Sequence, residues 1–268
     1  MAPLRSFAIK LLERHPYGYA AGVFMLDHFD ALLPHEADYW GFAVLASAFD
    51  FNPKVIIDLG ANRGHSARAF LKILPDWQVV SFEANAMHER RLATIAARFP
   101  DRFSFSIAAI TDAPKGELEF YTPVYRGVAM HSCGALSFQE ALNGVQGSFP
   151  AQKGVFEIVR TVTPTTSIDS VGLDASFVKL DIQGEELNAL KGMESLLTRC
   201  KPALLVEMNL IEETLSWERD QLVEFLTGLG YQPWSFDTQA RTFARGWSDM
   251  KVTRNQFFIH ASVDCSSA

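Results

Sequence analysis

Residues 55–70, VIIDLGANRGHSARAF, constrain the fold more than any other stretch of the chain. The aliphatic run Val55 to Ile57 reads as a strand buried on both faces, as in parallel sheets. That strand closes on Asp58 and Leu59, turns through Gly60, Ala61, Asn62 and Gly64, and enters an amphipathic helix. Strand, glycine turn and helix N-terminus in this order begin a βα unit. A ligand at such a turn meets backbone N–H groups and the positive end of the helix.

The same alternation continues after Pro53, with short apolar runs separated by amphipathic helices. Strands are expected at 54–59, 78–83, 103–108, 176–181, 203–207, 231–236 and 255–260, and helices at 64–74, 86–98, 184–198 and 218–228. The expected fold class is α/β: a doubly wound, Rossmann-like sheet of seven strands with helices on both faces. Residues 1–50 carry apolar positions at helical spacing, as in Leu4, Phe7, Leu11 and in Tyr39, Phe42, Ala43, Ala46. They form a helical N-terminal segment, expected at one edge of the sheet and a candidate cap or dimer surface, ahead of a domain at 51–268. Residues 115–162 read as non-helical, with GELEFY and VFEIVRTV as paired strands around a Gly-rich excursion. So long a loop is usually functional, and 123–154 is read as a lid insertion.

Gly60 and Gly64 allow the chain a tight turn and a close approach to a ligand, and Asp58 and Asn62 offer polar groups to an amino acid moiety. Glu83 ends the strand QVVSFE 19 positions after Gly64. Doubly wound folds place an acidic residue at about that spacing on a ribose hydroxyl pair. An amino acid end at the turn and a ribose at Glu83 describe S-adenosylmethionine (SAM), predicted to bind Asp58, Gly60, Ala61, Asn62, Gly64 and Glu83. Asp112 is placed at the adenine rim, with a plain turn before Pro114 as its other reading. A dinucleotide is the competing cofactor, but its fingerprint needs a second glycine where Asn62 stands.

A further signal is FVKLDIQGEELNALKGM, residues 177–193. Lys179 and Asp181 are two apart and therefore share a face of a strand, Asp181 at its C-terminal end, where open α/β sheets bind ligands. Gly184 then turns the chain into a helix with Glu185 and Glu186 in its first turn, where carboxylates also favour the helix dipole.

With DLGANRG at 58–64, FEAN at 82–85, TTSID at 165–169, and VKLDIQGEELNALKG at 178–192 followed by KPALLVEMN, the chain resembles the FkbM family of SAM-dependent methyltransferases. The resemblance spans about residues 54–210. It implies a class I methyltransferase fold whose last strand is antiparallel, SAM as cofactor, and O-methylation of sugars, glycans or natural products. Gln183 stands where many members have Glu, and 123–154 follows no family pattern.

Methyl transfer requires alignment of acceptor, methyl and sulfur and removal of the acceptor proton. Asp181 and Lys179 are the candidates for that work, His131 on the lid is an alternative base, and Glu207, ending the next strand, could orient an acceptor hydroxyl. A divalent cation on Asp181 with Glu186 or Glu207 is conceivable from ligand chemistry, but no HxH, HExxH or Cys cluster occurs and no metal is assigned. The strand end reads DIQG and lacks the aromatic tetrapeptide that resembles exocyclic-amine methyltransferases.

A formal net charge of -7 disfavours nucleic acid as a partner. Cys133, Cys200 and Cys265 are odd in number and widely spaced, which reads as reduced thiols and a cytoplasmic setting. Glu13, Arg14 and His15 interrupt any signal-like core, and the apolar run at 17–26 falls short of the roughly 20 residues a transmembrane helix needs. The expected partner is a small-molecule or glycan acceptor, with a homo-oligomer left open. The rival classes are a methyltransferase-like binding protein without catalysis and a nicotinamide oxidoreductase.

Overall fold

The computed structural model describes residues 17–18, 21, 36–114, 116–125, 128–130, 133–148, 156–182, 184–208, 216–249 and 253–263. They fall in two units, one of His35–Gly116 with Pro164–Ala268, the other of Met1–Pro34 with Glu117–Thr163.

The first unit is built on β1 (Val55–Leu59), β2 (Gln78–Glu83), β3 (Phe103–Ile107), β8 (Phe177–Leu180), β9 (Ala203–Glu207), β10 (Tyr231–Asp237), β11 (Thr242–Arg245) and β12 (Asn255–His260). These eight strands form one sheet in the order β11-β10-β12-β9-β8-β1-β2-β3. The five from β9 to β3 run parallel, and β12 lies antiparallel between β9 and β10. The chain order reverses at β1, flanked by β2 and β8, which is where this architecture opens a crevice for ligands.

The expected seven strands are corrected to eight by β11, which closes a hairpin on β10. Only Phe243 of its four residues is buried, so the run carries almost no alternation to read. The turn is held by Asp237, whose Oδ1 accepts the Gln239 and Ala240 N–H groups, both at 2.8 Å.

Side-chain alternation sends each strand's residues to two cores. On one face Ile56, Val79, Phe177, Leu205 and Phe257 pack with α1 (Trp40–Ala48), α2 (His65–Ile73) and α3 (Glu89–Arg98). On the other Ile57, Phe82, Val178, Leu204 and Phe258 pack with α5 (Ile168–Val171), α6 (Glu186–Lys191), α7 (Glu194–Cys200) and α8 (Ser216–Gly228). The helix expected at 184–198 is thus two, broken at Gly192 and Met193. Helix α1 lies over the middle of the sheet rather than at its edge: Phe42 stacks on Phe177 of β8 at 4.6 Å and meets Phe257 of β12 edge-on at 5.4 Å. For residues 36–50 the edge expectation failed because helical spacing reports which side of a helix is apolar but not the strand it faces; the rest of the expected N-terminal segment, apart from residues 17, 18 and 21, lies outside the described residues. Among the described residues no helix is long and apolar enough to cross a membrane.

The short β4 (Ala109–Ile110) pairs in parallel with Thr165 and Thr166 at the end of β7 (Glu157–Thr166). In the second unit β5 (Glu117–Tyr125) pairs with the short β6 (Val128–Ala129) and neighbours the earlier part of β7, as the flanking runs led us to expect. The excursion between them is not wholly non-helical, because α4 spans Phe138–Ser148. Ala141 and Val145 are buried at helical spacing, and Ser137 caps the start by accepting the Glu140 N–H at 3.2 Å. Gly144 and Gly147 had marked this stretch as loop. Residues 126–127, 131–132 and 149–154 of the expected lid, His131 among them, lie outside the described residues.

Candidate functional site

Period-2 alternation decides which polar residues meet. Asp58 lies opposite both Ser81 and Lys179 in the parallel register. Glu83 lies two residues beyond Ser81, Asp181 two beyond Lys179, and Glu207 two beyond Leu205, so all share the α1–α3 face at the C-terminal edge of the sheet.

The turn after β1 is tied from below and from one side. Gly60 and Ala61 N–H groups both donate to the Phe82 carbonyl, at 2.9 and 3.2 Å. Gly60 has φ 78°, and a Cβ there would lie 1.7 Å from the Asp181 carbonyl oxygen, so no other residue fits without moving β8. Asn62 also takes a left-handed φ of 48°, and its side chain is exposed. Its backbone N–H donates to Glu83 Oε2 at 2.6 Å, while the Asn85 N–H donates to Oε1 at 2.7 Å. Burial pushes the Glu83 carboxyl above its usual range, and these two N–H groups oppose that shift. Gly64 precedes α2 with no side-chain cap, leaving the helix's first N–H groups to other acceptors.

Asp58, offered to a ligand by the sequence reading, is instead fully buried beneath the turn. Its Oδ2 accepts the Ser66 and Ser81 hydroxyls at 2.8 and 2.9 Å, and its Oδ1 lies 3.4 Å from Lys179 Nζ. Lys179 is 4% exposed. Its ammonium donates to the Gly60 carbonyl at 2.9 Å and the Leu59 carbonyl at 3.4 Å, and sits 3.4 Å from Asp181 Oδ2. Burial alone would lower its pKa, but the combined influence of Asp58, Asp181, Tyr39 and Glu36 outweighs burial and raises it. Lys179 is therefore a fixed cation and not the proton acceptor that the sequence reading allowed. Losing one partner of a buried pair costs about 3–5 kcal/mol, so the pair is committed to the fold.

The ends of β8 and β9 carry a different arrangement. The Asp181 side chain is 35% exposed, and it hydrogen-bonds the Glu207 carboxyl. Burial first, then the charge and hydrogen bond of Asp181, push Glu207 up to about 8, with Arg254 opposing. Two carboxyl groups in contact hold one proton between them because both cannot ionise cheaply. Glu186 closes the loop beyond Asp181, accepting the Ile182 N–H at 3.1 Å and the Gly184 N–H at 3.0 Å, and burial raises its pKa. Glu185 instead bonds Asn188 on its own helix at 2.8 Å. Among the described residues no group of three or more His, Cys, Asp or Glu is arranged to hold a metal ion.

Asp112 stands apart from this cluster. It is exposed, accepts the Thr111 hydroxyl at 3.1 Å, and lies against Gly192 at the α6–α7 break, on the opposite face. Several residues escaped the sequence reading, Ser66 and Ser81 among them. Asn85, 2% exposed, supplies an N–H to Glu83 and caps the following turn through Met87 N–H at 3.0 Å. Ahead of α1, buried Tyr39 adds to the field at Lys179, and Glu36 and Asp38 accept from Asn255 at 3.3 and 3.0 Å. Asn255 is the register partner of Glu207. Asn85 could have been found as an N-cap residue before a helix; the other contacts join positions more than 200 residues apart or lack any motif.

Residues 58–233 match the family model for the methyltransferase FkbM domain. A comparison with curated proteins finds no match. Among solved structures the chain is similar to a methyltransferase FkbM from Methylobacillus flagellatus, at 15% identity and a TM-score of 0.48, over 84% of this chain and 50% of that one. The chain thus spans about half the length of that protein. It is also similar to a precorrin-6y C5,15-methyltransferase from Geobacter metallireducens, at 11% identity and a TM-score of 0.39, over 82% of this chain and 84% of that one. An SAH-bound Podospora anserina methyltransferase matches at 12% identity and a TM-score of 0.40, over 84% and 76%.

Proposed function

The chain belongs to the FkbM methyltransferase family, and we propose that it methylates a hydroxyl of a sugar, glycan or natural product, with Asp181 taking the hydroxyl proton. Its cofactor is S-adenosylmethionine, which supplies an electrophilic methyl group on a sulfonium sulfur. The residues present suit it. The N-terminus of α2, which no side chain caps, offers the positive end of the helix to a carboxylate, and the Gly60 to Gly64 turn lets the ligand approach it closely. Each Glu83 oxygen accepts one backbone N–H and keeps a second lone pair, enough for a vicinal diol. Asp58 supports the turn from beneath.

The observation that carries the choice of base is the Asp181–Glu207 carboxyl pair on the same face as that turn. A partly exposed carboxylate there can accept the hydroxyl proton while Glu207, carrying the shared proton, donates a hydrogen bond to it. The fixed charge of Lys179 excludes it as the base, and His131 is the next candidate.

The test is labelled methyl transfer from S-adenosylmethionine into fractionated cell extract, followed by Asp181→Asn on the acceptor found. Turnover is expected to fall by about 10²-fold or more, with cofactor affinity by calorimetry nearly unchanged. Wild-type activity that survives EDTA assigns the loss to the base, and activity restored only by magnesium or calcium makes Asp181 a metal ligand. Near-normal turnover in the variant rejects both roles.

A further inference from the structure

We propose that Lys179 is a positioning residue that ties the cofactor turn to the Asp181–Glu207 proton pair, acting through its contacts with the Leu59 and Gly60 carbonyls on one side and Asp181 on the other. The ammonium has three N–H donors, and four acceptors lie around it: Gly60 O at 2.9 Å, and Leu59 O, Asp58 Oδ1 and Asp181 Oδ2 at 3.4 Å each. Two of the four belong to the backbone of the glycine turn and one to the carboxyl pair.

The charge also determines where the shared proton resides. Lys179 faces Asp181 directly, which favours ionised Asp181 and leaves the proton on Glu207. The charged and titratable groups around this pair come from every neighbouring element. They are Asp58 at the end of β1, Glu83 at the end of β2, Glu186 at the start of α6, Arg254 just before β12, and Glu36, Asp38 and Tyr39 ahead of α1. All but Arg254 are acidic or phenolic, so removing Lys179 leaves the carboxylates with little to offset them. Asp181 would then hold a proton to higher pH, because losing an opposite charge a few ångströms away moves a carboxyl by about one to three pH units. This half of the proposal matters for turnover only if Asp181 is the base, and so rests on that reading.

Two variants separate the two contacts. Lys179→Met removes both the charge and the donors, whereas Lys179→Gln keeps amide donors for the turn carbonyls without the charge. Both are checked for folding by thermal unfolding, then titrated with S-adenosylmethionine by calorimetry. The Asp181 carboxyl is followed against pH by carbon-13 NMR, its signal identified by its loss in Asp181→Asn. Lys179→Met is expected to weaken cofactor binding by about tenfold or more and to raise the Asp181 titration by about one pH unit or more. Lys179→Gln should raise the titration equally while losing less affinity, and it keeps the test open if the Met variant does not fold. An unmoved Asp181 titration in a folded variant overturns the link to the proton pair. Unchanged affinity in Lys179→Met, or equal losses in both variants, overturns the link to the turn. Neither measurement uses an acceptor, so failure of the base reading, seen as normal turnover in Asp181→Asn, is distinct from failure of this one.

Discussion

The two halves of the C-terminal sheet edge solve opposite problems with the same residue types. At the ends of β1 and β2 the carboxylates are buried and matched: Asp58 has two serine hydroxyls and an ammonium, and Glu83 has two backbone N–H groups. At the ends of β8 and β9 carboxyl groups outnumber cations, one is 35% exposed, and two share a proton. The first half holds a shape, and the second leaves a carboxyl group within reach of solvent. Changes to the first should therefore appear as lost stability and cofactor affinity, and changes to the second as altered rate and pH dependence.

The largest effect is expected where the halves touch. Gly60 combines a left-handed φ with a Cβ position 1.7 Å from the Asp181 carbonyl. Gly60→Ala must either push β8 away or rebuild the turn. Overpacking and an unfavourable φ each cost about 1–3 kcal/mol, so a loss of about 3 kcal/mol in unfolding free energy, with cofactor binding abolished, is expected by denaturant titration and calorimetry. Wild-type stability in this variant would mean the turn is not clamped against β8, and the division between the halves would lose its basis.

A smaller loss is expected at Glu83. Glu83→Ala removes the acceptor of the Asn62 and Asn85 N–H groups as well as the proposed ribose contact, and should cost about 1–3 kcal/mol of cofactor affinity. Calorimetry measures this directly. Undiminished affinity in a folded variant would remove the ribose from this position and leave Glu83 a purely structural tie.

That these candidate residues would gather at one edge of the sheet was legible because strand alternation and strand ends are local properties. Asp58, Glu83, Lys179, Asp181 and Glu207 each close or nearly close an apolar run, and the spacing of two puts Lys179 and Asp181 on one face. Their individual tasks were not legible, because partners are set by register. Ser81 meets Asp58 only because β1 and β2 pair as they do, and Lys179 reaches carbonyls about 120 residues earlier in the chain. Asp112 was misplaced for the same reason, since a residue after a strand can turn toward either face. Helix α4 has a readable signal in Ser137, Glu140, Ala141 and Val145, but Gly144 and Gly147 within it are the residues expected of a loop.

The smallest expected effect is the sharpest test of the proton pair. Glu207 is held near 8 in the folded protein, against an ordinary value of 4.5 when exposed. A carboxyl raised on folding binds more protons in the folded state, so its stabilising contribution is complete below about 4.5 and is lost as pH rises through about 8. Glu207→Gln cannot titrate, and its amide can still donate to Asp181. The variant should match wild type near the acid end of that window and become the more stable of the two near pH 8. Groups that titrate in both proteins without acting on Glu207, such as Glu83, cancel in the difference. Because Glu207 is partly solvated, the full shift does not convert to stability, and a gap of about 1 kcal/mol, or roughly 2–4 °C in Tm, is expected near pH 8. Thermal unfolding of both proteins across pH 5 to 8 measures it. A gap that does not widen with pH would mean that the pair holds no proton above the ordinary carboxyl range, and Glu207 would then have none to donate to Asp181.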